Sequence, residues 1–351
     1  VVVAACTPRT HEALFQETLI NAGLNKYLVE MANSRNQDSW VHDYNTDLAT
    51  EKAKDLVRMA VAKAFLAKHL QESNLPVNHR ALVVGGGIAG MTAALSLSKQ
   101  GCPVHLVEKS DRLGGNACHL NTTYRNEKIG DYLQTLADKV AADPLIQLHL
   151  ESSLTAVEGF VGNFKSDIVS GSATETVEHG VAVMAIGAQE SKPQEYLYGE
   201  HPAVLTHLEM DEKLRTNNPR IQVAENIVFI QCVGSRDRDR PYCSKVCCTH
   251  TIKNALELKK DKPDINICIL YRDIRTYGQR EDLFRQAREK GILFFRYELE
   301  EKPRVSAEGK RVLVSFNDPI IGRKMCVAAD ILCLAAAIVH QEDLAVTRMF
   351  K

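Results

Sequence analysis

The sequence lacks net charge, long apolar runs and a secretory start, and each absence removes a class of function. Its 43 Lys and Arg nearly balance 44 Asp and Glu, leaving a formal net charge of −1. No overall field therefore favours nucleic acid or an anionic membrane surface as partner. Aromatic residues make up only 6% of the chain, beside 45% hydrophobic and 25% charged residues, a composition still ordinary for globular domains. The longest apolar runs, such as CLAAAIV at 333–339, fall far short of the ~20 residues that cross a bilayer, so no membrane span is expected. No basic n-region followed by an apolar h-region opens the chain. It begins VVVAACTPRT without Met and reads as a piece of a longer protein. No C-x-x-C pair is present, which argues against thioredoxin-type chemistry. There is also no C-x2-C-x2-C-x3-C-P run of the ferredoxin kind, no internal repeat and no low-complexity tract.

What is present is a chain of 351 residues with ten cysteines, long enough for two or so domains. Many thiols without a secretory signal point to a reduced compartment, the cytoplasm, where clustered cysteines more often bind metal than pair as disulfides. Residues 1–7 read as a strand and turn, followed by a helix from about Thr10 that Thr10 caps and Gly23 ends. A long amphipathic helix is expected over Asp47–Leu70, where Ala53, Val57, Ala60, Ala64 and Ala67 share one face. The polar stretch QESNLPVNHR at 71–80 reads as a linker. Beyond it come two α/β units in series, the first interrupted by a small antiparallel sheet. The boundaries are drawn at 1–75, 76–224 and 225–351.

The stretch VVGGGIAG places Gly85, Gly87 and Gly90 in G-x-G-x-x-G register between a strand and a helix. The first glycine permits the tight turn, the second a close approach to pyrophosphate, the third close helix–strand packing. The helix start, with Ile88 and Ala89, offers unpaired N–H groups to phosphate. Glu108 ends the next strand eighteen residues after Gly90, where a carboxylate can accept hydrogen bonds from ribose hydroxyls. The motif alone does not choose between FAD and NAD. The next residues, EKSDRLGGN, resemble the second phosphate-contacting segment of two-dinucleotide-domain flavoproteins, through Lys109, Arg112, Gly114 and Gly115. VAVMAIGA at 181–188, with Gly187, resembles the strand and turn that close their FAD domain. FAD is the expected cofactor.

Cys232, Cys243, Cys247 and Cys248 form C-x10-C-x3-C-C. Zinc sites usually present two C-x2–4-C knuckles, and adjacent cysteines suit a tetrahedral knuckle poorly. The cubane of a [4Fe-4S] cluster has four irons and accepts less regular spacings. Inert buried thiols are the competing reading, and it is the expected one for Cys102, Cys118, Cys268, Cys326 and Cys333. The cluster stands where a flavoprotein reductase would open its second nucleotide domain with another glycine fingerprint. Here that turn holds a single glycine, Gly234.

Three stretches resemble the flavin-containing A subunits of heterodisulfide reductases: residues 5–42 (ACTPRTHEALFQ…SWVH), VVGGGIAG, and QCVGSRDRDRPYCSKVCCTHTIKNA at 231–255. The resemblance implies an α/β, thioredoxin-reductase-like two-dinucleotide-domain flavoprotein preceded by a partial N-terminal α/β iron–sulfur domain. It implies that Cys232, Cys243, Cys247 and Cys248 ligate a [4Fe-4S] cluster and that Lys253 lies near the flavin N5. It also implies that Cys6 belongs to an N-terminal cluster whose other ligands lie upstream, and that the chain stops before the glycine segment closing the flavin pocket. Implied partners are other heterodisulfide-reductase-type subunits, a hydrogenase, formate or NADH-linked electron-input subunit, and ferredoxin. The expected role is to distribute or bifurcate electrons from a two-electron donor between a disulfide-type acceptor and ferredoxin. The competing readings are a pyridine-nucleotide-dependent flavoprotein disulfide oxidoreductase and an electron-relay subunit without turnover of its own.

Overall fold

The computed structural model describes residues 1–340 and 344–350. The chain divides at Pro76 into two compact units. In the first, strands Val2–Ala5 and Glu30–Asn33 pair in parallel, joined by helix Pro8–Asn21. That helix starts before Thr10: Thr7 holds the extended cap position and Pro8 the first helical position, where the missing N–H is no loss. Gly23 follows the helix with φ +74, the left-handed conformation that ends helices.

The second helix covers Thr46–Leu66 rather than reaching Leu70, and the Asn45 side chain caps it by accepting from the Leu48 N–H. Its early end has a tertiary cause. The Asn25 amide donates to the Leu70 carbonyl at 2.8 Å, and Glu72 meets both Lys26 and the Tyr27 hydroxyl. Those contacts draw residues 67–72 out of helical geometry.

The second unit contains two parallel sheets built on one plan. The first has the order Ile146–His149, Val104–Val107, Ala81–Val84, Val181–Met184. Helices Ile88–Ser98 and Ile129–Ala142 bury Met91, Ala94, Leu136 and Val140 against one face. The antiparallel strands Ser152–Phe160, Asn163–Ser170 and Ala173–His179 cover the other, through Leu154, Ile168 and Val177. The alternation of side chains along each strand therefore divides residues between a helical and a sheet neighbour.

The second sheet has the order Val204–Thr206, Ile331–Ala336, Asn226–Val233, Asn266–Tyr271, Leu293–Arg296, all parallel. It recruits residues from before 225. Helices Cys247–Asp261 and Glu281–Glu289 cover one face. A second antiparallel meander, Arg304–Glu308, Arg311–Asp318 and Arg323–Ala329, covers the other. Strand Ala188–Glu190 pairs antiparallel with Ile338–His340, so two short strands connect the halves.

Phe229 lies on the central strand of the second sheet with no exposure, packed in the cluster of Ile252, Ile267 and Ile331. Phe229→Ala should cost about 3–5 kcal/mol, measured as a lower midpoint in chemical unfolding.

Candidate functional site: a dinucleotide cleft and a four-cysteine turn

A cleft of about 820 Å3 opens where strand Ala81–Val84 turns into helix Ile88–Ser98, within the usual range for small-molecule sites. Gly85 has φ +107, and a Cβ there would lie 2.3 Å from the Ala185 carbonyl oxygen. A Cβ on Gly90 would lie 1.8 Å from the Gly85 carbonyl oxygen, so Gly90 serves helix packing and does not line the cleft. A Cβ on Gly87 would meet nothing within 4 Å: this is the open cradle that a phosphate requires. The Gly114 N–H donates to the Gly86 carbonyl at 2.8 Å, laying the second glycine segment beside the first. Gly85, Gly87, Ile88, Ala89, Glu108, Lys109, Arg112, Gly114, Gly115 and Gly187 all line the cleft.

Glu108 is buried, and its carboxylate is already engaged. One oxygen accepts from the Gly86 N–H at 2.6 Å, the other from the Ser110 N–H and hydroxyl at 2.9 and 2.8 Å. A carboxylate offers about four acceptor positions, so one remains for a ribose hydroxyl. Glu108 thus shapes the turn as well as facing the cleft. Residues that the motif did not reveal complete the walls: Asn116, whose amide donates to the Ala188 carbonyl at 2.7 Å, and Cys118, His119 and Leu120.

The cysteine turn follows the central strand of the second sheet. The pairing register shifts between Ile230 and Val233, and Cys232 sits there at φ +60. Arg236 and Lys245 also hold left-handed conformations, at φ +57 and +64. Three such non-glycine residues in one turn are unusual and cluster at functional sites. The turn is braced from outside: Arg272 donates to the Ser235 and Arg236 carbonyls, and the Tyr297 hydroxyl to the Gln231 carbonyl.

Cys247 and Cys248 are the first two residues of helix Cys247–Asp261, where the helix dipole favours negative charge. Burial, reinforced by the neighbouring thiols, pushes Cys247 up to about 12 and Cys248 up to about 11. The charges of Cys232 and Cys243 act on both, so the four sulfurs form one electrostatic group. Such thiols stay protonated unless a cationic centre takes the place of their protons. Among the described residues, no three of these sulfurs lie within 4.8 Å of one another. A mononuclear zinc with 2.3 Å bonds needs edges of about 3.8 Å, so the donor set fits a larger, polynuclear centre better. Cys268 and Cys333 lie in sheet interiors, where burial raises both thiols, as expected of inert packing.

Two connections join turn and cleft. Tyr242 donates to the Ile338 carbonyl and Ser244 accepts from its N–H, and Ile338 pairs with Glu190 two residues beyond the cleft-lining Ala188. The other connection is helix Cys247–Asp261 itself. Lys253 neither lines the cleft nor faces solvent: its ammonium lies 3.4 Å from Asp211 and 3.6 Å from Glu257. Asp211 also accepts from Asn254 at 2.7 Å and from the Asn121 N–H at 3.2 Å, and the His250 ring lies 2.9 Å away. The Asn121 amide donates to Glu257 at 2.5 Å. Asn121 directly follows the cleft wall, so Lys253 stands one layer behind it. Burial alone would raise Asp211, but the His250 ring beside it, the Lys253 ammonium and the Asn254 amide hold it well below the usual carboxylate range.

The fold is that of an α/β protein with two dinucleotide-domain-like halves, and the two turns mark where they differ. The profile of the NAD(P)-binding Rossmann-like domain matches residues 83–131. The thioredoxin reductase of T. acidophilum shares the fold, with a TM-score of 0.51 and 13% identity over 74% of this chain and 77% of that one. The Lactococcus lactis thioredoxin reductase does likewise, at 0.50, 16% identity and the same coverages.

In sequence, the chain is 32% identical to the A subunit of the H(2):CoB-CoM heterodisulfide,ferredoxin reductase of Methanothermobacter marburgensis, over 97% of this chain and 66% of that protein. It is 30% identical to a protein of Archaeoglobus profundus that is itself named as like the heterodisulfide reductase A subunit, over 96% and 67%. The chain belongs to the family of heterodisulfide reductase A subunits, which are oxidoreductase components, and spans about 66% of the length of the first relatives it matches. Among the described residues no helix is long and apolar enough to cross a membrane.

Asp211→Asn should destabilise the second unit by about 3–5 kcal/mol, the usual cost of leaving buried charges without their partner. The depressed carboxyl contributes its full stability above its unfolded pKa of about 3.9. That contribution is lost only as pH falls through the folded value. Urea unfolding at several pH values should show this acid-side loss in the parent and a flatter limb in the Asn variant.

Proposed function

We propose that this chain is the FAD- and [4Fe-4S]-binding electron-transfer part of a heterodisulfide-reductase-like complex. The observation that carries this reading is the four-cysteine turn at the place where a reductase of this fold would bind a nicotinamide nucleotide. Gly87, the start of helix Ile88–Ser98, Glu108 and Arg112, which all line the cleft, would hold FAD, the backbone N–H groups and Arg112 suiting its phosphates and Glu108 a ribose hydroxyl. Cys232, Cys243, Cys247 and Cys248 hold the cluster. When bound, the flavin exchanges electrons in pairs with a donor and singly with the iron–sulfur centre.

The chain's own residues do the rest. The glycine turns bring backbone against the phosphates. Helix Cys247–Asp261 fixes the cysteine pair relative to Lys253, and Asp211 and Glu257 hold the Lys253 ammonium behind the Asn121 segment of the wall. In the assembled complex, a hydrogenase, formate or NADH-linked subunit supplies electrons in the cytoplasm. These are distributed, or bifurcated, between ferredoxin and a disulfide-type acceptor on another subunit. The name of the Methanothermobacter marburgensis relative supports the two acceptors, since it sets a CoB-CoM heterodisulfide beside ferredoxin.

Anaerobically prepared protein should carry one flavin and about four irons per chain, with broad absorption near 400 nm. Gly87 has an ordinary backbone conformation, φ −71 and ψ −179, so Gly87→Val should fold, lose the flavin and keep the iron. Cys247→Ser should do the reverse. Stoichiometric zinc with iron near zero, or flavin bleaching by NADPH in the isolated chain, would sink the proposal.

A further inference from the structure

Away from both turns, the first sheet and its antiparallel cover bring three metal-binding side chains together. His105 and His149 lie on adjacent parallel strands, and Glu175 on the third strand of the cover. On strand Val104–Val107, His105 shares the face of Val107, which packs against the cover; Glu175 shares the face of Val177, which packs back. The alternation of strand side chains thus aims all three into one seam between the sheets.

His105 Nδ1 and His149 Nε2 are 3.1 Å apart, and His149 Nδ1 lies 3.7 Å from a Glu175 oxygen. One ligand atom from each residue falls within 4.8 Å of the other two. A tetrahedral zinc with arms of 2.0–2.1 Å has edges of about 3.3 Å, so His105 Nδ1 and His149 Nε2 already span one edge, and the Glu175 carboxylate has to close in from within 4.8 Å rather than by its contact with His149 Nδ1. Gln147 donates to the other Glu175 oxygen at 3.4 Å, an outer partner of the kind that orients a ligating carboxylate. The histidines are nearly buried while Glu175 is about half exposed, which gives an ion a path from solvent.

We propose that His105, His149 and Glu175 bind a borderline divalent transition metal, with Zn2+ as the test ion, which clamps the antiparallel cover to the edge of the first sheet. Two imidazoles and one carboxylate are a donor set suited to Zn2+, Co2+, Ni2+ or Cu2+ rather than Mg2+ or Ca2+. Burial lowers both imidazoles, with His149, Arg80 and His179 adding to the effect on His105 and Glu175 opposing it on both rings. Metal binding takes the neutral form of both rings.

The test uses the full chain with its cysteine site loaded with iron and stray metal removed by chelator, then dialysed against Zn2+. The parent should take up one zinc per chain with iron unchanged, and its melting temperature should rise. Glu175→Gln, a substitution at a half-exposed site, should weaken zinc binding by at least about tenfold. His149→Gln should weaken it beyond the roughly 10–100-fold that loss of an outer partner costs. Crystals of the parent soaked in zinc should show an anomalous peak between the three side chains. Zinc uptake unchanged in both variants, or no uptake at about 100 µM, would overturn the site and leave the pair as a hydrogen bond between imidazoles. Bound zinc without a rise in melting temperature would overturn the clamp.

Discussion

A carboxylate with no contact to water survives in a folded chain only if donors surround it, and Asp211 is such a group. Its position on helix His207–Arg215 is set by the short edge strand Val204–Thr206 before it. Its partners come from helix Cys247–Asp261 and from the Asn121 segment. One buried charge therefore joins three pieces of chain that belong to different layers. The consequence for function is geometric. Helix Cys247–Asp261 cannot shift without breaking several charge-assisted bonds, so the cysteine pair at its start keeps a fixed relation to the wall of the cleft.

The two halves of the large unit use the same construction, a parallel sheet with helices on one face and a three-stranded meander on the other, and they differ at the first turn. In the first half the turn is made of glycines, and the space above Gly87 is left open. In the second, the turn is long, and cysteines replace the open backbone. A glycine turn recognises phosphate by bringing N–H groups close, whereas a cysteine turn supplies thiols and must hold them against their own preference to stay protonated. The left-handed Cys232, Arg236 and Lys245 lie in that second turn. Each costs on the order of 1–3 kcal/mol, a cost offset by the bonds of Arg272, Tyr297 and Ser244 around the turn.

Much of this was legible in the sequence because its causes are local. The placing of Gly85, Gly87 and Gly90 between strand and helix follows from spacing alone. Asp211 was not legible, since it meets Lys253 from 42 residues away across a layer boundary. The end of the helix at Leu66 was not legible either, because the bonds that stop it come from Asn25, Lys26 and Tyr27. The meander over 304–329 was not legible either: its strands alternate apolar and polar residues weakly, and only the second sheet behind them gives that alternation meaning.

The same distinction explains why Glu108 plays a larger part than a motif assigns to it. From spacing it is a strand-end acid aimed at a ribose. In the fold its carboxylate is held by the Gly86 N–H and by Ser110, so it fixes the conformation of the very glycine turn it was expected to assist. A hydroxyl arriving in the cleft then meets an acceptor whose orientation was set before binding, and no side-chain freedom remains to be lost there. Preorganisation of this kind links the turn and the acid into one unit: the turn is shaped by the acid, and the acid is aimed by the turn.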